Sequence, residues 1–542
     1  MQRAVLFIFG ISLLVGSAGS GVRSSTLSGR DRAPGVGRST VADEPVLQST
    51  EWVRTSTERR LSRFHSHPTL PIAPRAELVP DPSGDVDQSA LGAPLRPAFA
   101  PPALKAAYAG IAYTSFHPPD PVLAVGPSQV VLVVNSTWAA YDKATGATVA
   151  GPFELSDWFE SKIPGDFVFD PKVIYDVLAG RFVMVALFAD FTAKKSSWVV
   201  SVSKTSEATG EWWIYAFDAT LDGSTKSSNW ADYPGLGVDK VAVYMSANMF
   251  AWDDGFAYSK VRILTKKKLY AGAKTGWRDL YDFTPGDAAG QFTVQPAHQY
   301  TGLPYNYMIN AVWGDDASTL KLWKVTNPTS SKPKLEEFDV TVDSYGLTGN
   351  AAQKGGPELI HTGDLRLLNA VFRDGRIYAA HTIPKNWKSG EVPAARWYEI
   401  DVASATVVQS NTYGADKVAY YYPVIMPDAA GNIFLGFNRS SATEYAGMRF
   451  CGRRATDPAG QMSASGLLMG GKAYYVYKDQ YERNRWGDYN GIGLDPSDTG
   501  SVWIYGEYAQ KRIVWQTRFG QVSFESVSAE PRDRSFPRDI RN

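Results

Sequence analysis

The chain reads as an all-β protein, a β-propeller of about seven blades with six or eight as the alternatives. Two observations carry that reading. First, a ten-residue phrase occurs twice: Trp230-Ala231-Asp232-Tyr233-Pro234-Gly235-Leu236-Gly237-Val238-Asp239 returns as Trp486-Gly487-Asp488-Tyr489-Asn490-Gly491-Ile492-Gly493-Leu494-Asp495. Second, from about residue 106 short β-type runs alternate with Gly, Asp, Asn and Pro, and no run shows a long, well-capped helical period. A strand-turn-strand unit repeated at a distance is the mark of a radially repeated sheet.

The units start near residues 118, 168, 230, 290, 358, 418 and 486. Hairpin turns are expected at Lys143-Ala144-Thr145-Gly146, Arg373-Asp374-Gly375-Arg376 and Ala429-Ala430-Gly431-Asn432. Ser203 to Gly210 and Val325 to Thr329 read as outer hairpins of equivalent units. A pair of sandwiches would need a domain break, and no linker follows residue 110. A β-helix would need a shorter, stricter period.

Residues 1–20 read as a secretory signal: Arg3, an apolar stretch from Ala4 to Val15, then the small residues Gly16 to Ser20. That stretch is too short to span a bilayer, and no later segment is apolar enough, so no transmembrane anchor is expected. Residues 21–105 are rich in Ser, Arg, Pro, Gly and Ala and should form a disordered leader. Residues 106–530 should form the propeller, and 531–542 a flexible tail. The expectation is a monomeric protein that is secreted or extracellular, with the periplasm or the cell surface as the alternatives.

Of 542 residues, Cys451 is the one cysteine, so stability must come from a large core rather than an intramolecular disulfide. Aromatic residues make up 13%, which suits packed sheets. Formal charge is +0 and the pI is near 7.0, which argues against nucleic acid as a partner. There is no Gly-x-Ser-x-Gly elbow, no His-Glu-x-x-His and no phosphate loop.

The candidate site follows from blade alignment. Asp232 and Asp488 fall in the same place in the two phrases, while Asp239 and Asp495 mark the turn that ends the innermost strand. Asp120 precedes Leu123-Ala124-Val125-Gly126-Pro127, and Asp170 precedes Val173-Ile174-Tyr175-Asp176. Four neighbouring blades thus place a carboxylate where the innermost strand begins, giving an acidic arc at the channel mouth. Crowded carboxylates take up protons, pair with arginine or bind a cation. Calcium is the natural cation, with Asp232 and Asp488 as its candidate ligands. Paired carboxylates also suit glycoside hydrolysis. Tyr233, Tyr489, Trp230 and Trp486 offer stacking surfaces for sugars or peptides. The alternative is that the aspartates cap their own loops. His117, His361, Arg366 and Arg485 fall near the same face, and neither histidine has the partners of a zinc site.

These residues carry a resemblance. Pro118-Pro119-Asp120 with Ala124-Val125-Gly126-Pro127, Asn135-Ser136 and Tyr141 to Gly146 resembles the first blade of a group of secreted bacterial β-propeller proteins of unestablished activity. Asp170-Pro171-Lys172-Val173-Ile174-Tyr175-Asp176 is similar to their second blade, and Arg485-Trp486-Gly487-Asp488-Tyr489 to their last. The resemblance implies fold and export. Sialidases are a more distant comparison, but their arginine triad has only Arg366 and Arg485 as counterparts here.

The expected function is a binding module for a glycan, peptide or cell-surface ligand, with a structural calcium at the channel face. The alternative is an extracellular glycoside hydrolase or polysaccharide lyase using two of the carboxylates.

Overall fold

The computed structural model describes residues 35–51, 99–164, 167–253, 255–281, 283 and 291–524. The signal segment 1–20, most of the leader and the tail 531–542 lie outside the described residues.

The ring is built of antiparallel meanders. Five are separate sheets of four or five strands, and a ten-stranded sheet joins two more through the short strand His298–Gln299, giving seven in all. Their innermost strands are Val122–Val125, Val168–Asp176, Asn229–Val238, Gln295–Pro296, Asn369–Arg373, Val418–Pro427 and Gly491–Leu494. All seven line one central channel, which is how the ring is seen to close. The expected starts near 168, 230 and 418 fall on inner strands, those near 118, 290 and 486 lie just before them, and the fifth inner strand begins at Asn369 rather than near 358. The hairpins between Lys195–Ser203 and Glu211–Asp218, and between Ala317–Thr326 and Lys334–Tyr345, are outer ones as expected.

Packing follows from the period of two along each strand. Every residue of Gln129–Val134 is buried because both faces of the strand are covered. Val131 and Val133 point into the core shared with the second blade, which holds Trp138, Trp158 and Trp212. Val130, Leu132 and Val134 point into the core shared with the last blade, around Trp503 and Trp515. The hydrophobic interior is therefore a set of layers between blades. Cys451 is buried in one of them, and burial pushes its thiol up.

Two features correct the expected domain limits. The last blade takes its outer strand, Ala103–Ala109, from the N-terminal side, where it pairs with Val514–Ser523. The ring is thus closed by a strand beginning inside the segment expected to be leader. Within that leader, Gly35–Arg38 pairs with the edge strand Trp277–Tyr281, and Val46–Ser49 with the edge strand Glu211–Asp218. Each covers backbone groups that an open sheet edge would expose. Between them Asp43 accepts the Ala216 N–H at 2.9 Å and pairs with Lys162 at 2.8 Å.

No helix among the described residues is long and apolar enough to cross a membrane.

Candidate functional site

One face of the ring is shaped by a recurring break in the inner ladder. Pairing resumes at Lys172, Gly235 and Val424 after two unopposed residues. In the first blade the ladder begins at Val122. The first unopposed residue is Asp170, Tyr233 or Tyr422, and Asp120 holds the matching place. Each is followed by a proline, at 121, 171, 234 and 423. Proline has no N–H for the ladder, so pairing must restart beyond it. All four residues before proline are left-handed, with φ of 49, 50, 52 and 51. An aspartate tolerates that region; for a tyrosine it is an outlier.

This register corrects the alignment of the carboxylates. Asp120 and Asp170 are equivalent to Tyr233, whereas Asp232 and Asp488 stand one residue earlier in their blades. The four still converge, because the break turns both positions toward the channel mouth. Asp239 and Asp495 lie at the other end of the inner strand and do cap their turns. Asp239 accepts the N–H groups of Val241 and Ala242, and Asp495 those of Ser497 and Asp498.

The break is held by the preceding blade. Asn135 accepts the Asp170 N–H at 3.1 Å, Asn248 that of Thr293 at 2.8 Å, and Thr382 that of Tyr422 at 3.0 Å. Asn438 accepts from the side chain of Asn490 at 2.7 Å. At the closing seam the corresponding residue is Glu507, whose buried carboxyl oxygens have no hydrogen-bond partner. Burial raises its pKa well above the usual range, and the charge of Asp488 adds to that. Gly487 makes room for it, since a Cβ there would lie 2.9 Å from one Glu507 oxygen.

At the mouth, Arg485 and Asp488 form a bidentate pair at 2.8 and 2.7 Å. The Asp488 N–H donates to Asp120 at 2.7 Å. Burial works to raise the Asp488 pKa, but the charge and hydrogen bonds of Arg485, joined by the charges of Arg366 and His361, hold this carboxyl well below its usual range. The other three shift the opposite way. Asp120 and Asp232 are raised well above normal by burial, then by their acidic neighbours, and Asp170 is pushed up to about 6 by burial and Asp488. Arg366 pairs with Asp364 at 2.7 Å and lies over the Tyr233 ring at 4.1 Å.

Lys172 completes the cluster. Its Nζ sits 2.8 Å from the centre of the Tyr489 ring and 5.6 Å from that of Tyr233. Burial lowers its pKa to about 7, against the pull of Asp120, Asp170 and Asp488. Asp170 and Lys172 thus stand two residues apart, the one shifted up and the other down toward neutral pH, where general acids and bases work best.

Three expectations change. Tyr233 and Tyr489 offer no open stacking face: they are 5% and 1% exposed, pack edge to face at 5.7 Å, and are covered by the cations. Trp230 and Trp486 are buried as well. The donor set does not suit calcium. Asp488 is committed to Arg485, and among the described residues no three His, Cys, Asp or Glu side chains are grouped to hold a metal ion. His117 belongs to the fold, bonded through both ring nitrogens to Tyr113 and Tyr475 at 2.9 Å and stacked on Tyr477. His361 does border the cluster; burial lowers its pKa to about 4, with Arg485 and Arg483 contributing.

No family model matches the chain, and no curated protein matches it. Among solved structures, it is similar to a protein of unknown function from Dyadobacter fermentans, with 10% identity over 65% of this chain and 94% of that one at a TM-score of 0.35. An α-L-arabinanase of Penicillium chrysogenum aligns at 9% identity over 78% and 99%, with a TM-score of 0.37. A sialidase of Trypanosoma rangeli aligns at 10% over 74% and 57%, with a TM-score of 0.35. At such levels the likeness says nothing about chemistry, and the site must be read from its own residues.

Proposed function

We propose that the chain binds a glycan at the channel mouth. The observation that carries this is the meeting of Arg366, Arg485 and Lys172 with Asp170, Asp232 and Asp488 in one half-buried cluster. Such a cluster offers charged donors and acceptors side by side. Sugar hydroxyls both donate and accept, so a polyol can satisfy adjacent members without breaking the ion pairs. Hydrogen bonds to charged groups are the stronger kind, and partial burial raises their worth.

A second reading is catalytic. Asp170 near 6 and Lys172 near 7 supply a proton acceptor and donor in the right range. That favours an acid–base reaction such as glycoside hydrolysis or polysaccharide lysis. Affinity electrophoresis through gels containing single polysaccharides separates these readings. Binding alone gives retardation without new reducing ends or unsaturated products. Turnover gives product that Lys172→Met and Asp170→Asn abolish. No retardation and no product with any polysaccharide would remove both.

A further inference from the structure

Three lysines are buried among the described residues, and two of them are held by polar partners. Lys260 donates to the Ala219 and Leu221 carbonyls at 2.8 and 3.0 Å and to Asp222 at 2.6 Å. Lys266 donates to the Asp239 carbonyl and pairs with Asp176, both at 2.6 Å. Lys172 differs. It is 8% exposed, yet among the described residues no hydrogen-bond acceptor engages its Nζ and no carboxylate oxygen lies within 4.0 Å of it. The amine meets aromatic rings instead, with the centre of Tyr489 at 2.8 Å and that of Tyr233 at 5.6 Å. Asp120, Asp170, Asp488 and the cation Arg366 act on it from further off. Lys172 also lines the central channel, together with Gly235, Leu368 and Asn490.

We propose that Lys172 is a nucleophile that captures a small neutral aldehyde as a reversible imine. This goes beyond the glycan reading, since a closed sugar ring presents no carbonyl. A lysine becomes nucleophilic when desolvation and a nearby cation favour its neutral form, as the tyrosine rings and Arg366 do here. Burial, which lowers its pKa to about 7, acts in the same direction. The amine lone pair attacks the carbonyl carbon, the C=O π pair moves to oxygen, and the proton lost by nitrogen passes to that oxygen. In the resulting carbinolamine the hydroxyl takes a proton from Asp170 and leaves as water. The nitrogen lone pair closes the C=N bond and the N–H proton returns to Asp170, so one water is released and no redox partner is needed. Asp170 suits that relay, its pKa being pushed up to about 6 by burial and Asp488. The channel volume of about 90 Å³ equals roughly three waters, which sets the scale at two or three carbons. A keto acid is disfavoured, because Asp120, Asp170 and Asp488 would face its carboxylate.

The test exposes the full chain at about pH 7 to propanal, glycolaldehyde or pyruvate with cyanoborohydride, which reduces any imine to a stable secondary amine. Peptide mass mapping over time locates the added alkyl group, with the α-amino group mapped separately. An exposed lysine, with a pKa near ~10.4, is almost wholly protonated there, whereas about half of Lys172 is neutral. Both aldehydes should therefore alkylate Lys172 at least about tenfold faster than any exposed lysine, with pyruvate behind them. The lead should vanish at about pH 10, where exposed lysines also lose their protons. Lys172→Met should keep the slow surface labelling and lose the fast site, its fold checked by circular dichroism. The wild-type map decides the matter even where that variant fails to fold. Lys172 unlabelled in the native chain, or labelled no faster than exposed lysines, would overturn the capture. Pyruvate reacting as fast as the aldehydes would overturn the choice of a neutral carbonyl.

Discussion

Asp488→Ala isolates the ion pair at the heart of the site. The Arg485 side chain is 5% exposed and that of Asp488 28%, so the substitution leaves a buried guanidinium without its counter-charge. Removing one partner of a buried pair costs about 3 to 5 kcal/mol, and the partial exposure of Asp488 places this case near ~3 kcal/mol. With an unfolding entropy near ~2.1 cal/mol/K per residue and roughly 430 described residues, that is about 3 °C in Tm. Chemical denaturation and calorimetry would read it. The double variant Arg485→Met/Asp488→Ala should recover most of the loss, because no charge is then stranded. The Asp488 pKa is depressed in the folded state, so its contribution is present above the ordinary carboxylate range and lost only as pH falls through the depressed value. The destabilisation of Asp488→Ala should therefore still be seen at about pH 5. An Asp488→Ala protein as stable as wild type, or a double variant worse than the single, would refute the argument.

Other expectations follow from the same structure. Lys172 has its pKa lowered to about 7, so the folded state resists its charging. Relative to Lys172→Met, wild type should lose stability as pH falls from about 10 toward 7, and a flat difference would contradict this. His117, His298, His361 and His381 are all lowered, to about 4, 3, 4 and 3, burial being the first cause in each. Wild type should therefore lose stability relative to His361→Gln as pH falls from about 6.5 to 4, as seen by denaturant titration. Deleting Ala103–Ala109 opens the ring and should abolish the cooperative transition, whereas deleting residues 1–51 should lower Tm and promote aggregation while the ring still closes. Calcium against chelator should leave the midpoint unmoved; a clear rise would show a site that the carboxylates do not display.

The architecture was legible because the inner-strand signal is local. Turn residues recur between blades, the Trp-x-Asp-Tyr phrase marks two of the blade starts, and the starts near 168, 230, 418 and 486 fall on or beside inner strands. The converging carboxylates were legible for the same reason. Their register was not, since a two-residue break shifts Asp120 and Asp170 by one place against Asp232, and only the ladder partners reveal it. The proline after each left-handed residue is the signal that could have shown it. Lys172 was hidden because its meaning depends on Tyr489, more than half the chain away. Glu507 stands in an ordinary β run, and its surroundings are set by Gly487 and Asp488, some twenty residues earlier in the chain. The strands at Gly35–Arg38 and Val46–Ser49 are four residues each and read as leader, because what orders them is the edge of another blade.

The most direct test of the central claim is affinity electrophoresis of wild type and Asp170→Asn through gels carrying single polysaccharides, with folding checked by circular dichroism. The account predicts that at least one polysaccharide retards the wild type and that the folded variant runs free. A wild type that every gel passes unretarded, or a variant retarded as strongly as wild type, would contradict a glycan site at the channel mouth.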